Sequence, residues 1–177
     1  ISFHSRVKGA ESFSIETQNT IQSISEKHVP KGNIWTDFVS GLMSSEKRNK
    51  KLKQLKDLSH GDRGLLSNAR CLSEGIDVPS LDGVAFIDPK GSQVDIVQAV
   101  GRSIRLNEEK TLGTIFLPVF IKDGDDAKIS IQSSNFKPVW TVINALKSHD
   151  DDLSIELDKL RTKLGRNHGL SQIKGIT

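Results

Sequence analysis

The sequence predicts an α/β fold, a doubly wound and mostly parallel sheet with a C-terminal helical extension. Three observations predict it. Short runs of β-favouring residues alternate with stretches of helical periodicity up to about residue 121; the strand-like runs end in turn signals; and past Lys122-Asp123-Gly124-Asp125-Asp126 the pattern is helical only. Strands that alternate with helices are joined by right-handed crossovers, which places ligand sites outside the carboxyl ends of the strands.

The elements follow in order. Ile1 to His4 reads as a short buried strand, and Ala10, Phe13, Thr17, Ile21 and Ile24 then recur at helical spacing. Asn33 to Val39 is rich in β-favouring residues (Ile34, Trp35, Thr36, Phe38, Val39), with Ser40-Gly41 as its stop. A helix is predicted from about Ser45 to Leu58, with Leu52, Leu55 and Leu58 on one side and lysines elsewhere. Gly61 and Gly64 bracket a turn, Gly64 to Ala69 reads as a strand, and after the loop Glu74 to Pro79 another strand runs from Gly83 to Asp88. A helix over Val94 to Arg105 and a last apolar run, Thr114 to Ile121, complete a domain predicted over residues 1–121.

Residues 122–177 form the predicted extension. Asn135 to Lys147 carries Val139, Trp140, Ile143 and Leu146, with Pro138 in a first turn that tolerates it. Leu153, Leu157, Leu160 and Leu164 repeat at alternating spacings of four and three, with Asp150-Asp151-Asp152 at the helix start and Lys163 and Arg166 near its end. That stripe spans too few heptads for a zipper, so docking on its own domain or on a neighbouring one is expected.

Composition limits the chemistry. Lys+Arg 25 against Asp+Glu 22 gives a formal charge of +3, so nucleic-acid binding would have to come from a local surface rather than from global charge. One cysteine, Cys71, excludes an intrachain disulfide and reads as a small packed residue. The five histidines, His4, His28, His60, His149 and His168, stand far apart without ligand-like spacing, so no metal is expected. No apolar run is long enough to cross a membrane and no secretory leader is visible, which predicts a soluble, cytoplasmic chain with no membrane partner. The chain opens on Ile1-Ser2-Phe3 without a methionine, as expected of a piece of something longer.

The most informative stretch is Gln98-Ala99-Val100-Gly101-Arg102-Ser103-Ile104-Arg105. At about 100° per residue, Gln98, Arg102 and Arg105 share a narrow arc, while Ile96, Val97, Val100 and Ile104 are expected on the opposite arc. Ser92 stands at capping-box spacing before Asp95, so the helix start is locally specified. Two guanidinium groups projected from a pinned helix suit an oxyanion, and a phosphate above all.

Three blocks carry a family resemblance. Phe3-His4-Ser5-Arg6 with Ala10 and Phe13 is similar to motif IV, Ser73-Glu74-Gly75-Ile76-Asp77-Val78-Pro79 to motif V, and Gln98 to Arg105 to motif VI. In that order over residues 1–121 the chain resembles the second RecA-like domain of superfamily 2 helicases and translocases. The Glu-Gly-x-Asp-x-Pro form of motif V is closer to DNA repair and restriction motors than to DEAD-box RNA helicases. Val94 to Arg102 and the later Phe136 to Asp151 resemble helicases associated with restriction-modification systems.

The resemblance implies a split site. ATP lies between two RecA-like domains, the first supplying the phosphate loop and the acids that hold Mg²⁺, the second an arginine finger that stabilises charge on the transferring phosphoryl group. On that pattern Arg105 is the finger, Arg102 its γ-phosphate partner and Gln98 an orienting group. Asp77 meets the ATP ribose or links nucleotide state to the track, with Glu74 and Gly75 shaping the loop. The nucleic-acid track, DNA in preference to RNA, falls to Ser5, Arg6, Ser40, Gly41, Asn68 and Ala69, contacts that position without reading sequence. No Gly-x-x-x-x-Gly-Lys-Ser/Thr segment and no Asp-Glu pair of the Walker B kind occur, so ATP and Mg²⁺ fall mainly to an N-terminal RecA-like domain of the same protein. The fragment alone is expected to be monomeric and inactive.

Plainer readings stand beside these. Gln98, Arg102 and Arg105 suit a solvated helix face, Asp77 a turn cap before Pro79, and Lys47 to Lys56 a solvated charged face without aromatics to stack on bases. Trp35 and Trp140 suit the core. A binding module on the same sheet without catalysis is the alternative function, and an independent nucleotide-binding enzyme a third.

Overall fold

A computed structural model describes residues 1–69, 71, 81–104 and 112–147. In chain order it holds β1 (Ser2–His4), α1 (Val7–Ser23), a 3₁₀ turn (Glu26–His28), β2 (Ile34–Ser40), α2 (Ser45–Lys56), β3 (Arg63–Ala69), β4 (Gly83–Phe86), α3 (Gln93–Ile104), β5 (Thr114–Phe116), α4 (Ala127–Ser133) and α5 (Lys137–Lys147). Among the described residues the strands form one five-stranded sheet in the order β2-β3-β1-β4-β5, and each neighbouring pair is parallel. This is the doubly wound, parallel α/β architecture that the alternation predicts, and the RecA-like one that the motif resemblance implies.

The chain divides into two compact units, Ile1–Asp88 with Gln98–Phe116, and Pro89–Val97 with Leu117–Thr177. In the first, side chains alternate between the two faces of the sheet. Thr36 Oγ1 donates to the Ser14 carbonyl in α1 at 2.9 Å, so Thr36 faces α1. On the other face, a Cβ added at Gly64 would lie 2.6 Å from both Leu55 Cδ1 and Leu58 Cδ1, so the bare glycine lets α2 settle against the sheet beside Trp35. The two helices cover opposite faces, as right-handed crossovers of opposite direction require.

The central strand β1 is buried throughout. Phe3 stacks on Phe86 of β4 with ring centroids 5.6 Å apart. Facing α1, Ser2 Oγ donates to Ser67 Oγ at 3.1 Å and lies 3.0 Å from His4 Nε2, which leaves the Nε2–H of a neutral His4 to donate to Ser2. Burial holds the His4 imidazole below its ordinary value of 6.5, against the pull of the Asp88 charge. Ala10 and Ser14 are the buried positions of α1, with Phe13, Thr17 and Ile21 half-buried beside them as their spacing predicts; Ile24 is the C-cap and is exposed. α2 is capped by Ser44, whose side chain accepts from the Lys47 N–H at 3.3 Å.

Two strands are shorter than the sequence suggests. The run Thr114 to Ile121 pairs only over Thr114–Phe116, because Pro118 lacks an N–H and restricts Leu117 before it; Phe116 and Phe120 are exposed. β4 closes at Phe86, although the Ile87 and Asp88 N–H groups still donate to the Phe3 carbonyl of β1 at 3.1 and 3.3 Å. In the second unit the helix predicted from Asn135 starts at Lys137 and buries Phe136, Val139, Val142 and Ile143, with Trp140 half-buried. α4, capped by Asp126 Oδ1 on the Ile129 N–H at 3.0 Å, was not foreseen as a separate helix. The leucine stripe Leu153 to Leu164 lies outside the described residues.

The amino ends of β2 and β3 are tied by backbone. Arg63 N–H donates to the Asn33 carbonyl at 2.8 Å, and Asp62 Oδ1 accepts from the Asn33 N–H at 2.8 Å. Both turns there use glycines at φ +90, Gly32 and Gly61; a Cβ at Gly32 would fall 2.1 Å from the Gly61 carbonyl oxygen, whereas one at Gly61 meets nothing within 4 Å. Gly32→Ala is therefore expected to destabilise by about 2–4 kcal/mol, combining left-handed strain with the backbone clash, and Gly61→Ala by about 1–2 kcal/mol from strain alone. Urea unfolding of the two variants checks that order.

Candidate functional site

In this sheet the chain leaves β1 towards β2 and leaves β4 towards β5, in opposite directions. Neighbouring strands whose connections diverge leave a crevice beyond their carboxyl ends, the usual ligand position in an open parallel sheet. Ser5 and Asp88 stand on the two sides of that crevice. Asp88 Oδ2 accepts from the Ser5 N–H at 2.7 Å and from Ser5 Oγ at 2.9 Å. Burial pushes the Asp88 carboxyl up, but the two Ser5 hydrogen bonds and the His4 and Arg6 charges together outweigh it and hold the group below its ordinary 3.8. The anion is thus part of the folded edge.

Asp88 was missed in the sequence. Its signal was present as an acid before Pro89 at the end of a strand, but nothing in the spacing tied it to a residue 83 positions away.

The expected track residues separate once placed. Arg6 is exposed as the N-cap of α1, and Gly41 is exposed in the turn after β2. Ser5 is exposed too, but its one N–H and one O–H are both given to Asp88, so a phosphate contact through those donors is corrected to a positioning role. Ser40, Asn68 and Ala69 are 2%, 1% and 0% exposed. Asn68 Oδ1 accepts from the Cys71 N–H and Sγ, both at 3.2 Å, and so closes the turn after β3 instead of reaching outward. The side chains of Ser40, Asn68 and Ala69 are thus packed inside the fold, and at Ala69 only a backbone contact is expected. Burial also raises the Cys71 thiol, with Arg48 opposing, and the residue is half-buried, less packed than its surroundings in the sequence suggested.

The start of α3 is pinned as the capping-box spacing predicts, with Ser92 Oγ accepting from the Asp95 N–H at 3.4 Å; the Asp95 carboxylate pairs with Lys90 at 3.2 Å. Its buried positions are Ile96, Ala99 and Val100. Val97, expected with them, is 44% exposed: the buried arc is centred on Ile96, and the wheel gives a stripe's width better than its centre. Gln98 lies off that arc, and its Oε1 is buried without a hydrogen-bond partner. A buried acceptor left unmatched costs free energy unless a donor reaches it, and an ordered water or a hydroxyl is the chemistry that would satisfy it. Arg102 belongs to α3, but its side chain is outside the description, and Arg105, Glu74, Gly75 and Asp77 lie outside the described residues. Among the described residues no cluster of His, Cys, Asp or Glu suited to a metal occurs, and no helix is long and apolar enough to cross a membrane.

Comparisons with known proteins bear on this geometry. Residues 7–107 match the family described as helicase conserved C-terminal domain. The probable helicase A859L of African swine fever virus is 40% identical over 86 residues, which is 49% of this chain and 9% of that protein. The ATP-dependent DNA helicase uvsW of Enterobacteria phage T4 is 28% identical over 117 residues, 65% of this chain and 22% of that protein. The chain thus spans a small part of either relative. Among solved structures, the ATP-dependent Type ISP restriction-modification enzyme LlaBIII bound to DNA is similar at TM-score 0.66 and 33% identity, covering 90% of this chain and 10% of that one. The C-terminal domain of the DEAD-box protein Dbp5 shares the fold at TM-score 0.54 and 12% identity, covering 92% and 80%.

The bridge makes a prediction about acid stability. With the folded Asp88 carboxyl below 3.8, the unfolded chain binds more protons in that range; the stabilisation is complete above 3.8 and is lost as pH falls through the folded value. Asp88→Asn should cost about 1 kcal/mol near neutrality, the low end for charge-assisted bonds because the site is open to water, and should flatten the acid limb below pH ~4. Unfolding free energies of the two proteins across pH check both effects.

Proposed function

The chain belongs to the helicase conserved C-terminal domain family, and from that membership we propose that it is the second motor domain of an ATP-dependent helicase or translocase that moves on DNA. The observation that carries the reading is the family match itself, whose span takes in β2 to α3 and both arginines, Arg102 and Arg105. DNA is favoured over RNA by the form of the Glu74 to Pro79 loop and by similarity to an enzyme whose structure was solved on DNA. The same similarity supports a restriction-modification setting in the cytoplasm.

In this reading Arg105 supplies the finger and Arg102 holds the γ-phosphate. A guanidinium fixed in a cleft without water neutralises the charge that spreads over the phosphoryl oxygens as the bond to the leaving oxygen lengthens. Gln98 offers its unmatched Oε1 to the water that attacks. Asp77 reads the ribose side of the same site, with Glu74 and Gly75 setting the loop. Mg²⁺ and the body of ATP fall to an N-terminal RecA-like partner domain, since this sequence carries no phosphate loop. Mg²⁺ held by that partner domain would supply Lewis-acid neutralisation of phosphate charge, and the residues of this chain would add the guanidinium groups. By itself the chain does not turn over ATP.

Arg6 and the exposed Gly41 amide take phosphates of the track, with Ser5, Ser40, Asn68 and Ala69 holding the edge in shape. Two variants of the full-length protein test the two halves of the reading. Arg105→Ala should lower DNA-stimulated ATP hydrolysis by about 10³-fold or more while ATP binding persists; normal hydrolysis would leave a binding module without catalysis. Arg6→Ala should weaken DNA binding uniformly across sequences and reduce the salt slope of log K by about 1.

A further inference from the structure

The twelve residues of α2 hold five lysines and one arginine against one glutamate, a net of +5 in a chain whose formal charge is +3, so everything outside this helix sums to a net negative charge. Two of the six cations serve the fold. Arg48 donates to the Met43 carbonyl at 3.0 Å and to Ser45 Oγ at 3.2 Å, and Lys51 reaches Asp37 at 2.6 Å and lies over the Phe38 ring. The other four, Lys47, Lys50, Lys53 and Lys56, are exposed, and their side chains have no hydrogen bond or ion pair among the described residues. They recur every third residue, each step turning back by about 60°, so they fan across the solvent-facing half of the helix from Lys47 on one flank to Lys56 on the other, and each is a helix neighbour of the next, an arrangement of like charges that disfavours the helix. No acidic side chain from the sheet or from α1 is paired with them.

We propose that this lysine row is a second nucleic-acid surface, one that holds the sugar-phosphate backbone of a duplex beside the track. It extends the motor reading and rests on it for the presence of DNA. Three features favour a polyanion of regular spacing. The four cations spread over about 14 Å of helix axis and over its solvent-facing half, a convex surface of the size over which a duplex presents several phosphates. The row starts in the turn that carries Gly41, at the same carboxyl edge as Arg6, so a backbone crossing that edge meets Lys47 first and can continue along α2. Leu55 is buried and Leu52 is half-buried, so α2 has no free apolar face of the kind that enters a membrane. The self-repulsion within the row is relieved when phosphates settle on it.

The test uses the full-length protein with Lys47, Lys50, Lys53 and Lys56 all changed to Gln, beside a variant with the same four changed to Arg. Equilibrium binding to a mixed-sequence DNA duplex is measured from 50 to 200 mM salt. The Gln variant should lose at least about tenfold in affinity at the lower salt, with a slope of log K against log salt shallower by about 2–4; the Arg variant should keep both. The melting temperature of the Gln variant should be unchanged or higher, since like charges have been removed, and its maximal DNA-stimulated ATP hydrolysis should persist at saturating DNA. Unchanged affinity and slope would overturn the proposal, whatever Arg105→Ala does to hydrolysis. Loss of binding to anionic vesicles or to a polyglutamate peptide, with duplex binding intact, would assign the row to another partner and overturn it equally.

Discussion

Two hydrogen bonds to one carboxylate, from the N–H and the hydroxyl of Ser5 to Asp88, hold the place where this fold is weakest. A parallel sheet has no hairpins; each strand is joined to its neighbour only through ladder bonds and crossovers. Here the central strand spans three residues and the strand beside it four, and the chain leaves them in opposite directions. Past the ladder the ends of β1 and β4 share the Ile87 and Asp88 N–H bonds to the Phe3 carbonyl, and the Ser5–Asp88 pair adds a side-chain tie to these. With it, the backbone at Ser5 is fixed, Arg6 is set as the N-cap of α1, and the crevice keeps a defined mouth. Phe3 on Phe86 is the apolar counterpart of that tie, two residues deeper. The cost is chemical: Ser5 is left as a residue that positions instead of one that donates.

The polar groups of the core follow the same economy. Ser2, His4 and Ser67 lie under α1 where apolar residues would fill the space, yet their atoms satisfy one another, so their burial is tolerable. Asn68 does the equivalent for the turn at Cys71. Gln98 is different, because its buried oxygen is unmatched, as is the buried Nε1 of Trp140 in the second unit; of these two departures from balance, the acceptor lies on the helix that bears Arg102. Charge is distributed in a similar manner. The formal charge outside α2 sums to a net negative value, while α2 alone carries five lysines and one arginine against one glutamate.

Much of the fold was legible in the sequence because each element was marked twice, by periodicity and by its stop signal. Ile34 to Ser40 and Arg63 to Ala69 begin and end within a residue of their turn signals. Ser92 caps α3 as its spacing to Asp95 implies. Where the reading failed, an effect at a distance had overridden a local pattern. Thr114 to Ile121 is apolar throughout, yet a strand needs N–H groups as well as apolar side chains, and Pro118 withholds one. Val97 has the right residue type for the buried side of α3, but the centre of that side is fixed by what the helix lies on. The site was legible in outline only. Arg6 and Gly41 are at the edge as foreseen, whereas Asp88 owes its role to strand order, and strand order is not written in any short window of sequence.

The central claim is that this domain completes a nucleotide site begun by another, with its sheet edge on the nucleic acid. A structure of the full-length protein on duplex DNA with a non-hydrolysable ATP analogue tests it most directly. The account predicts the Arg105 guanidinium within hydrogen-bonding distance of the γ-phosphate, Gln98 Oε1 paired with an ordered water beside it, and the DNA backbone against Arg6. An α3 turned away from the nucleotide, with Arg105 in solvent and DNA elsewhere on the molecule, would contradict it.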